Sequence, residues 1–423
     1  MISGVKDDAE ELVVEGRLDE ANQKLLSAFP DATRTAVQAY LLGNVLYEMD
    51  PKTSYALHQR AAKEITNQPN IDLEWALQQH RAREYAGAAE SYAKFLDANP
   101  NYAPVHGLVA ECLLRQGKTD EAVEAWRQSE SAGRGTLERF ESLVCDVNRH
   151  TFPGRERADL IVQVRKGDIT AAEKLISLDC HYEIDWWNRV TRVSYLEHDL
   201  QLVRSLNFQD EDRKRAALCA GECALAVEKE EGDVAEILRK AGYLLDAGKT
   251  LPQSGVIFEC MLRSALSAKA IKSEQAQTNW ADAVLAQAQR QKDPILFNVA
   301  AFLTVGDPRL EKAQQLGWDL TSDQRCAVGR IISLAGTDKL TLEHALFIKA
   351  VRQFPEEPIL AGLVVSLKAK AGQPLEADLI RAIKAEYSHF SFHSQLSMRP
   401  HANGLRSYFR ALQEERAKQQ PKG

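Results

Sequence analysis

The stretch VAECLLRQGKTDEAVEAW, Val109–Trp126, holds two short apolar patterns on either side of a glycine. Apolar residues before Gly117 recur at the spacing of one helix face. Gly117 can end that helix, because a left-handed backbone at a helix end is least costly for glycine. Asp120 and Glu121 then fall in the first turn of a second helix, where negative charge is favourable. The stretch therefore predicts a helix, a tight turn and another helix.

The tripeptide Gly-Lys-Thr inside this stretch is also the tail of a phosphate-binding loop, and it recurs at residues 248–250. Such a loop needs a further glycine five residues before the Gly-Lys pair, following a strand. The required positions hold Cys112 and Tyr243. Both tripeptides also follow helical patterns. We therefore expect neither of them to bind a nucleotide.

A shift of 34 residues places the same pattern on an earlier part of the chain. Ala110 then corresponds to Ala76, Ala122 to Ala88 and Trp126 to Tyr92. The step of five residues from a glycine to an alanine recurs at Gly16 and Ala21, Gly167 and Ala172, and Gly372 and Ala377. A fixed period with two helices in each period is typical of stacked helical repeats.

These residues resemble the tetratricopeptide repeat, whose pattern is W-x2-L-G-x2-Y, then A-x3-F, then P. One repeat carries Trp75, Ala76, Ala88, Tyr92 and Pro100, and the next carries His106, Val109, Ala110, Leu113, Ala122 and Trp126. The resemblance is clearest over residues 69–136 and is degenerate over residues 5–68 and 347–372. It implies an all-α fold, a superhelical solenoid of antiparallel helix hairpins.

The chain contains no run with the two-residue period of a strand, and helical patterns continue to its end. Phe152-Pro153-Gly154 forms a break near the middle. We expect a repeat region over residues 1–150 and a second helical region with degenerate hairpins over residues 151–423.

Composition excludes several functional classes. The 423 residues are 44% apolar and 27% charged, which is typical of a folded chain. A net charge of −7 argues against nucleic-acid binding. We expect no signal peptide and no membrane span, because no suitable apolar run occurs. The seven scattered cysteines predict reduced thiols in a cytoplasmic protein.

Two pairs of residues have spacings that could hold a metal ion. Cys219 and Cys223 are four residues apart, as in half of a zinc site, but no second pair follows, and small core residues are the favoured interpretation. His389 and His393 have the same spacing, and His401 could add a third ligand. The alternative there is a helix end packed by neighbouring phenylalanines. We predict no metal and no cofactor.

Two functional classes remain. The first is a non-enzymatic scaffold or adaptor that holds a peptide or protein partner on a concave helical surface. The second is an enzyme, or an enzyme subunit, with a site in residues 150–250 or 385–405. No Ser/His/Asp set or paired carboxylates are recognisable in the sequence, so the scaffold is favoured.

The resemblance also implies where a partner would bind, because the first helix of each hairpin lines the groove in such proteins. In the helix 104–116 the packing stripe is predicted to be His106, Val109, Ala110 and Leu113. The predicted partner-binding residues of two adjacent first helices are Leu73, Glu74, Leu77, His80, Arg81, Leu108, Glu111, Leu114 and Arg115. An open groove predicts a partly apolar, acidic partner segment. Alternatively, another part of the chain covers these residues.

Overall fold

The computed structural model describes residues 2–47, 49–130, 143, 147, 153–180, 189–246, 248, 250–304, 309–337, 339–355, 357–371, 373, 409 and 413. Within these ranges the secondary structure consists of twenty α-helices without a strand. The helices up to residue 130 are α1 Ile2–Val14, α2 Leu18–Ala28, α3 Ala36–Leu46, α4 Pro51–Glu64, α5 Pro69–Arg81, α6 Tyr85–Ala98, α7 Ala103–Arg115 and α8 Thr119–Glu130.

Twelve further helices follow in the described part of the chain. They are α9 Pro153–Val164, α10 Ile169–Asp179, α11 Arg189–Ser205, α12 Glu211–Lys229, α13 Val234–Lys240, α14 Gly255–Ser267, α15 Glu274–Gln291, α16 Pro294–Leu303, α17 Arg309–Thr321, α18 Gln324–Gly336, α19 Ala345–Gln353 and α20 Pro358–Lys370. None of these described helices combines the length and apolarity needed to cross a membrane.

Local chemistry explains many of the helix starts. Side-chain oxygens of Thr35, Asp50, Asp168, Asp210, Asp233, Ser254, Ser273, Asp293 and Asp323 accept hydrogen bonds from backbone N–H groups in the first turns. These N–H groups have no partner inside their own helix, so each acceptor stabilises the helix that it begins. At α3 the cap is reciprocal, because Gln38 also accepts a hydrogen bond from the Thr35 backbone.

Contacts within the chain separate two compact units. The first unit contains residues 1–5, 22–152 and 341–423, and the second contains residues 6–21 and 153–340. The division into a repeat region over residues 1–150 and a second helical region over residues 151–423 stays a prediction.

In the first unit, α3 packs on α4, α5 on α6 and α7 on α8, and each hairpin packs on the next. Small residues lie where the helices cross: Ala76, Ala88, Ala110 and Ala122 have no exposed surface. The larger members of the pattern, Tyr92 and Trp126, are equally buried. The 34-residue correspondence is therefore a correspondence of core positions. The predicted all-α solenoid of helix hairpins is confirmed.

The predicted helix-ending glycines adopt the left-handed backbone. The φ angles are 75° at Gly16, 79° at Gly117 and 85° at Gly167. At Gly117 the N–H of Lys118 donates to the carbonyl of Leu113 over 2.9 Å, which closes the end of α7. The fourth predicted glycine, Gly372, lies outside the described residues.

Gly16 and Gly167 form a matched pair for a stability measurement in the second unit. A Cβ at Gly16 would lie 2.8 Å from Ile161 Cδ1 and 3.3 Å from Ala158 Cα, whereas at Gly167 the nearest heavy atom is 3.9 Å away. Gly167→Ala should cost about 1–2 kcal/mol, because alanine is strained at positive φ. Gly16→Ala should cost at least ~1 kcal/mol more because of overpacking. Urea unfolding of both variants tests this difference, and equal losses would contradict it.

In the second unit, α9 packs on α10, α11 on α12 and α12 on α14, and a further series runs through α15, α16, α17 and α18. Cys219 and Cys223 lie buried on α12 beside Ala216, Ala217 and Ala220. A hydrogen bond between Cys219 and Cys223, together with burial, raises the pKa of Cys223. Both residues are therefore small core side chains, and Cys223 stays in the thiol form.

Candidate functional site

The nine residues predicted to line a partner groove lie on α5 and α7, the first helices of two adjacent hairpins. Leu77, His80, Leu108, Glu111 and Leu114 are buried, whereas Leu73, Glu74, Arg81 and Arg115 are partly exposed. A buried side chain cannot contact a partner in this conformation. Of the two alternatives, the covered groove therefore applies at the five buried positions.

The hydrophobic core of the first unit explains this closure. The leucines of α5 and α7 share one core cluster with five residues from later parts of the chain: Leu143, Val147, Ala361, Val365 and Phe409. The predicted packing stripe of α7 is one part of its buried surface. Ala110 is buried, Val109 and Leu113 are partly exposed and pack against the same cluster, and His106 is partly exposed. The helix is also buried on the face that carries Leu108, Glu111 and Leu114.

A charged pair lies at the centre of the buried face of α7. The Glu111 carboxylate accepts hydrogen bonds from Arg115 Nε over 3.1 Å and from Nη2 over 2.9 Å. Arg115 Nη1 also donates to the Tyr85 hydroxyl over 2.9 Å. Burial lowers the pKa of Arg115, but the Glu111 carboxylate more than offsets burial, and the pKa is raised overall. Arg115 is therefore a permanent cation whose charge Glu111 compensates.

His80 connects this pair to the preceding hairpin. Its Nδ1 lies 3.2 Å from the Tyr92 hydroxyl and 3.4 Å from Cys112 Sγ, and its Nε2 lies 3.7 Å from Glu111 Oε2. Burial raises the pKa of Cys112, so its sulfur stays protonated and is a poor nucleophile. The polar contacts of this cluster join α5, α6 and α7, so we interpret its role as structural.

An exposed apolar face lies on the preceding first helix, α3. Val37 is 57% exposed, Leu41 49% and Val45 44%. The three residues are four apart, so their side chains form one stripe along the helix. We call Val37, Leu41 and Val45 the α3 stripe. The nine residues predicted from the sequence do not include this stripe. The absence of charged residues between Ala36 and Leu46 could have indicated it.

The charges beside α3 are compensated within the protein. The guanidinium of Arg81, at the end of α5, lies 4.2 Å from the ring centroid of Tyr47, the residue that caps α3. Arg81 Nη1 also donates to Glu74 Oε1 over 3.4 Å. Two of the predicted partner-binding residues therefore pair with each other beside α3.

The other candidate sites are only partly within the described residues. Gly117-Lys118-Thr119 follows a helix, α7, where a phosphate loop would follow a strand. His389, His393 and His401 lie outside the described residues, as does Lys249. In the part of the chain that the structure describes, no group of three or more His, Cys, Asp or Glu side chains could hold a metal ion.

For the enzyme alternative, residues 385–405 also lie outside the described part of the chain. Residues 150–250 are largely described, and their most unusual feature is a buried charged cluster around Arg157 in the second unit. Its charged groups contact one another and the end of a helix.

Comparison with known proteins identifies the repeat. Residues 79–143 match the family model described as tetratricopeptide repeat. The resemblance to this repeat is confirmed, and the matched segment overlaps the predicted residues 69–136 from residue 79 onwards. No curated protein sequence matches the chain.

Two solved structures match over most of this chain. The crystal structure of yeast Tom70 is 12% identical, with a TM-score of 0.36, and the match covers 88% of this chain and 81% of that one. The structure of Naa15/Naa10 bound to HypK-THB is 16% identical, with a TM-score of 0.25, and the match covers 89% of this chain and 56% of that one.

Proposed function

We propose that the protein is a non-enzymatic interaction scaffold whose docking surface is the α3 stripe. The observation that carries the proposal is the exposure of Val37, Leu41 and Val45 on one face of the first helix of a hairpin. The tetratricopeptide-repeat match over residues 79–143 supports it, because such repeats commonly bind proteins through their first helices. The free thiols of the described cysteines fit a cytoplasmic location.

The chemistry of α3 suggests the kind of partner. A helix without charged residues offers no ion pair, so burial of apolar surface has to supply the binding energy. Burying three half-exposed side chains contributes about 1 kcal/mol each, or about 3 kcal/mol in total. This is about a hundredfold in affinity. We therefore propose an amphipathic helix of a partner protein as the occupant, with its apolar face on the stripe.

The partly exposed residues Leu73, Glu74, Arg81 and Arg115 are retained as proposed contacts at the edge of this surface. The partner segment therefore needs fewer acidic residues than the segment predicted for an open groove. Arg81 already has Glu74 and the Tyr47 ring, and Arg115 has Glu111. Substitution of these arginines should therefore affect partner binding less than substitution of Leu41.

Leu41→Asp tests the docking surface against Leu244→Asp, a matched control. Leu244 is 51% exposed and lies in the second unit, so both substitutions place a carboxylate at a half-exposed leucine. Wild-type and variant proteins are used as baits in affinity capture with quantitative mass spectrometry. At least one protein should be retained by wild type and Leu244→Asp and reduced more than about tenfold by Leu41→Asp, because apolar burial supplies the affinity.

Equal capture by all three baits would contradict the proposed surface. Sedimentation velocity separates a further outcome: self-association lost only in Leu41→Asp would make a second copy of this chain the occupant. Melting curves should coincide for the three proteins, since an exposed side chain away from caps and cores has little effect on stability. A large stability loss in Leu41→Asp would place Leu41 in the core.

A further inference from the structure

Four polar side chains from three helices meet in the interior of the second unit. Arg157, on α9, donates to Asp199 through Nε over 2.9 Å and through Nη2 over 2.7 Å. Asp179, the last residue of α10, has one carboxylate oxygen 3.6 Å from Arg157 Nε. His198, beside Asp199 on α11, has Nδ1 only 2.6 Å from the Asp199 carboxylate. Asp179 and Asp199 have no exposed side-chain surface.

The same arginine holds the end of the N-terminal helix. Arg157 Nη1 donates to the carbonyl of Val14 over 2.9 Å and to that of Val13 over 3.3 Å. The last carbonyls of a helix lack partners inside it and carry the negative end of the helix dipole. Gly16 then turns the chain away from α1. Arg157 therefore links the end of α1 to the two carboxylates.

The charges in this cluster do not balance unless a proton is present. Two carboxylates share one guanidinium, and neither oxygen of Asp179 accepts a hydrogen bond from the described residues. A protonated Asp179 can instead donate to Asp199. Burial raises the pKa of Asp179, the Asp199 charge raises it further, and Arg157 only partly opposes both effects. A neutral Asp179 leaves one cation and one anion in the cluster.

Other titratable groups also face the cluster. The Tyr195 ring of α11 lies 3.9 Å from the Arg157 guanidinium carbon. Cys180 is next to Asp179, and its hydrogen bond with Cys260 of α14, together with burial, raises the pKa of its thiol. Glu10 and Glu11 of α1, together with Val14, Glu15 and His198, line an open cavity of about 350 Å³. Added negative charge in the cluster would therefore oppose both these glutamates and the helix end.

We propose that Arg157, Asp179, Asp199 and His198 form a proton-dependent clasp on the end of α1. When Asp179 is neutral, Arg157 can donate hydrogen bonds to Asp199 and to the Val13 and Val14 carbonyls at the same time. Ionisation of Asp179 places a second anion beside Asp199 and draws Arg157 away from the carbonyls. The clasp holds α1 at lower pH and loosens as the pH rises.

The direction of the pH dependence follows from proton linkage. Asp179 has a higher pKa in the closed clasp than in the opened one, so the closed state binds more protons over the interval between these values. The stabilisation is complete below the ordinary aspartate pKa of about 3.9 and is lost as the pH rises through the raised value. Within that interval, one additional bound proton changes the opening equilibrium by up to about tenfold per pH unit.

Hydrogen exchange at the end of α1 tests the clasp. The amides of Glu15, Gly16 and Arg17 donate to the Glu11, Val13 and Leu12 carbonyls, so their protection reports whether this helix end is closed. In the full-length protein, protection corrected for the intrinsic exchange rate should fall as the pH rises above the ordinary aspartate pKa of about 3.9, by up to about tenfold per pH unit. Asp179→Asn mimics the neutral acid and should keep its protection across the same pH series. Equal pH dependence in wild type and Asp179→Asn would overturn the proposal.

Two further variants distinguish the titrating group. In His198→Gln the fall in protection should persist, because Asp179 carries the proton. In Asp199→Asn the fall should disappear, because Asp179 becomes the ionised partner of Arg157. Loss of the pH dependence in His198→Gln with retention in Asp179→Asn would assign the switch to the histidine and overturn the proposal. Constant protection in the wild type would overturn it directly.

Discussion

Glu111→Gln is expected to destabilise the first unit by about 3–5 kcal/mol, the usual cost of removing one partner from a buried ion pair. The reason is the position of Arg115, whose side chain is only 10% exposed and whose carboxylate partner has no exposed surface. A neutral amide would remove the carboxylate charge that compensates this guanidinium inside the protein. Urea unfolding followed by circular dichroism measures the loss, and hydrogen exchange in α5 and α7 locates it.

Glu124→Gln is the matched control for this measurement. Glu124 pairs with Arg127 on α8, and both side chains are more than half exposed, at 62% and 53%. Exposed pairs contribute little to stability, so this variant should unfold like the wild type. A loss in Glu111→Gln no larger than in the control would contradict the role given to the buried pair.

A double substitution separates the role of the pair from simple intolerance of change at these positions. Glu111→Leu combined with Arg115→Met removes both charges and keeps similar volumes. Replacing a whole buried pair by apolar residues is often neutral, whereas removing one partner is not. The double variant should therefore be more stable than Glu111→Gln. A double variant as unstable as the sum of both single substitutions would contradict this interpretation.

Local signals were sufficient to predict the hairpins of the first unit. The 34-residue period, the alanines at the helix crossings and the turn at Gly117 all act between residues close in sequence. Each of these features depends on helix geometry or backbone conformation, which a short stretch determines. The residues Ala88 and Ala122, identified by spacing alone, are accordingly found without exposed surface.

The candidate surface was harder to predict because its exposure depends on distant parts of the chain. Trp126 stacks on Phe409 with ring centroids 4.7 Å apart, and Ala361 and Val365 join the same core. Helical periodicity gives the direction of a side chain but not which distant segment packs against it. Leu108 and Leu114 therefore looked available for a partner, although they are core residues. The same limit hid the partners of Arg157, since nothing nearby in sequence connects it to Asp179 or Asp199.

Arg157→Met should give the largest loss in the second unit, again about 3–5 kcal/mol. The substitution removes the two hydrogen bonds to Asp199 and the two to the end of α1, and it leaves the buried Asp199 carboxylate without its cation. The stability of Arg157→Lys should lie between that of the wild type and that of Arg157→Met. An ammonium keeps the charge but cannot reproduce the planar guanidinium that reaches both partners.

Arg155→Met is the control for this substitution, since Arg155 lies on the same helix and pairs with Asp19 at the surface, where the side chains are 47% and 83% exposed. Urea unfolding should show little change for this control. Hydrogen exchange should show lost protection at the end of α1 in Arg157→Met but not in Arg155→Met. Among the described contacts of these two arginines, only those of Arg157 include the Val13 and Val14 carbonyls. If Arg157→Met lowered stability while the end of α1 kept its protection, the arginine would support the carboxylates but would not hold the helix.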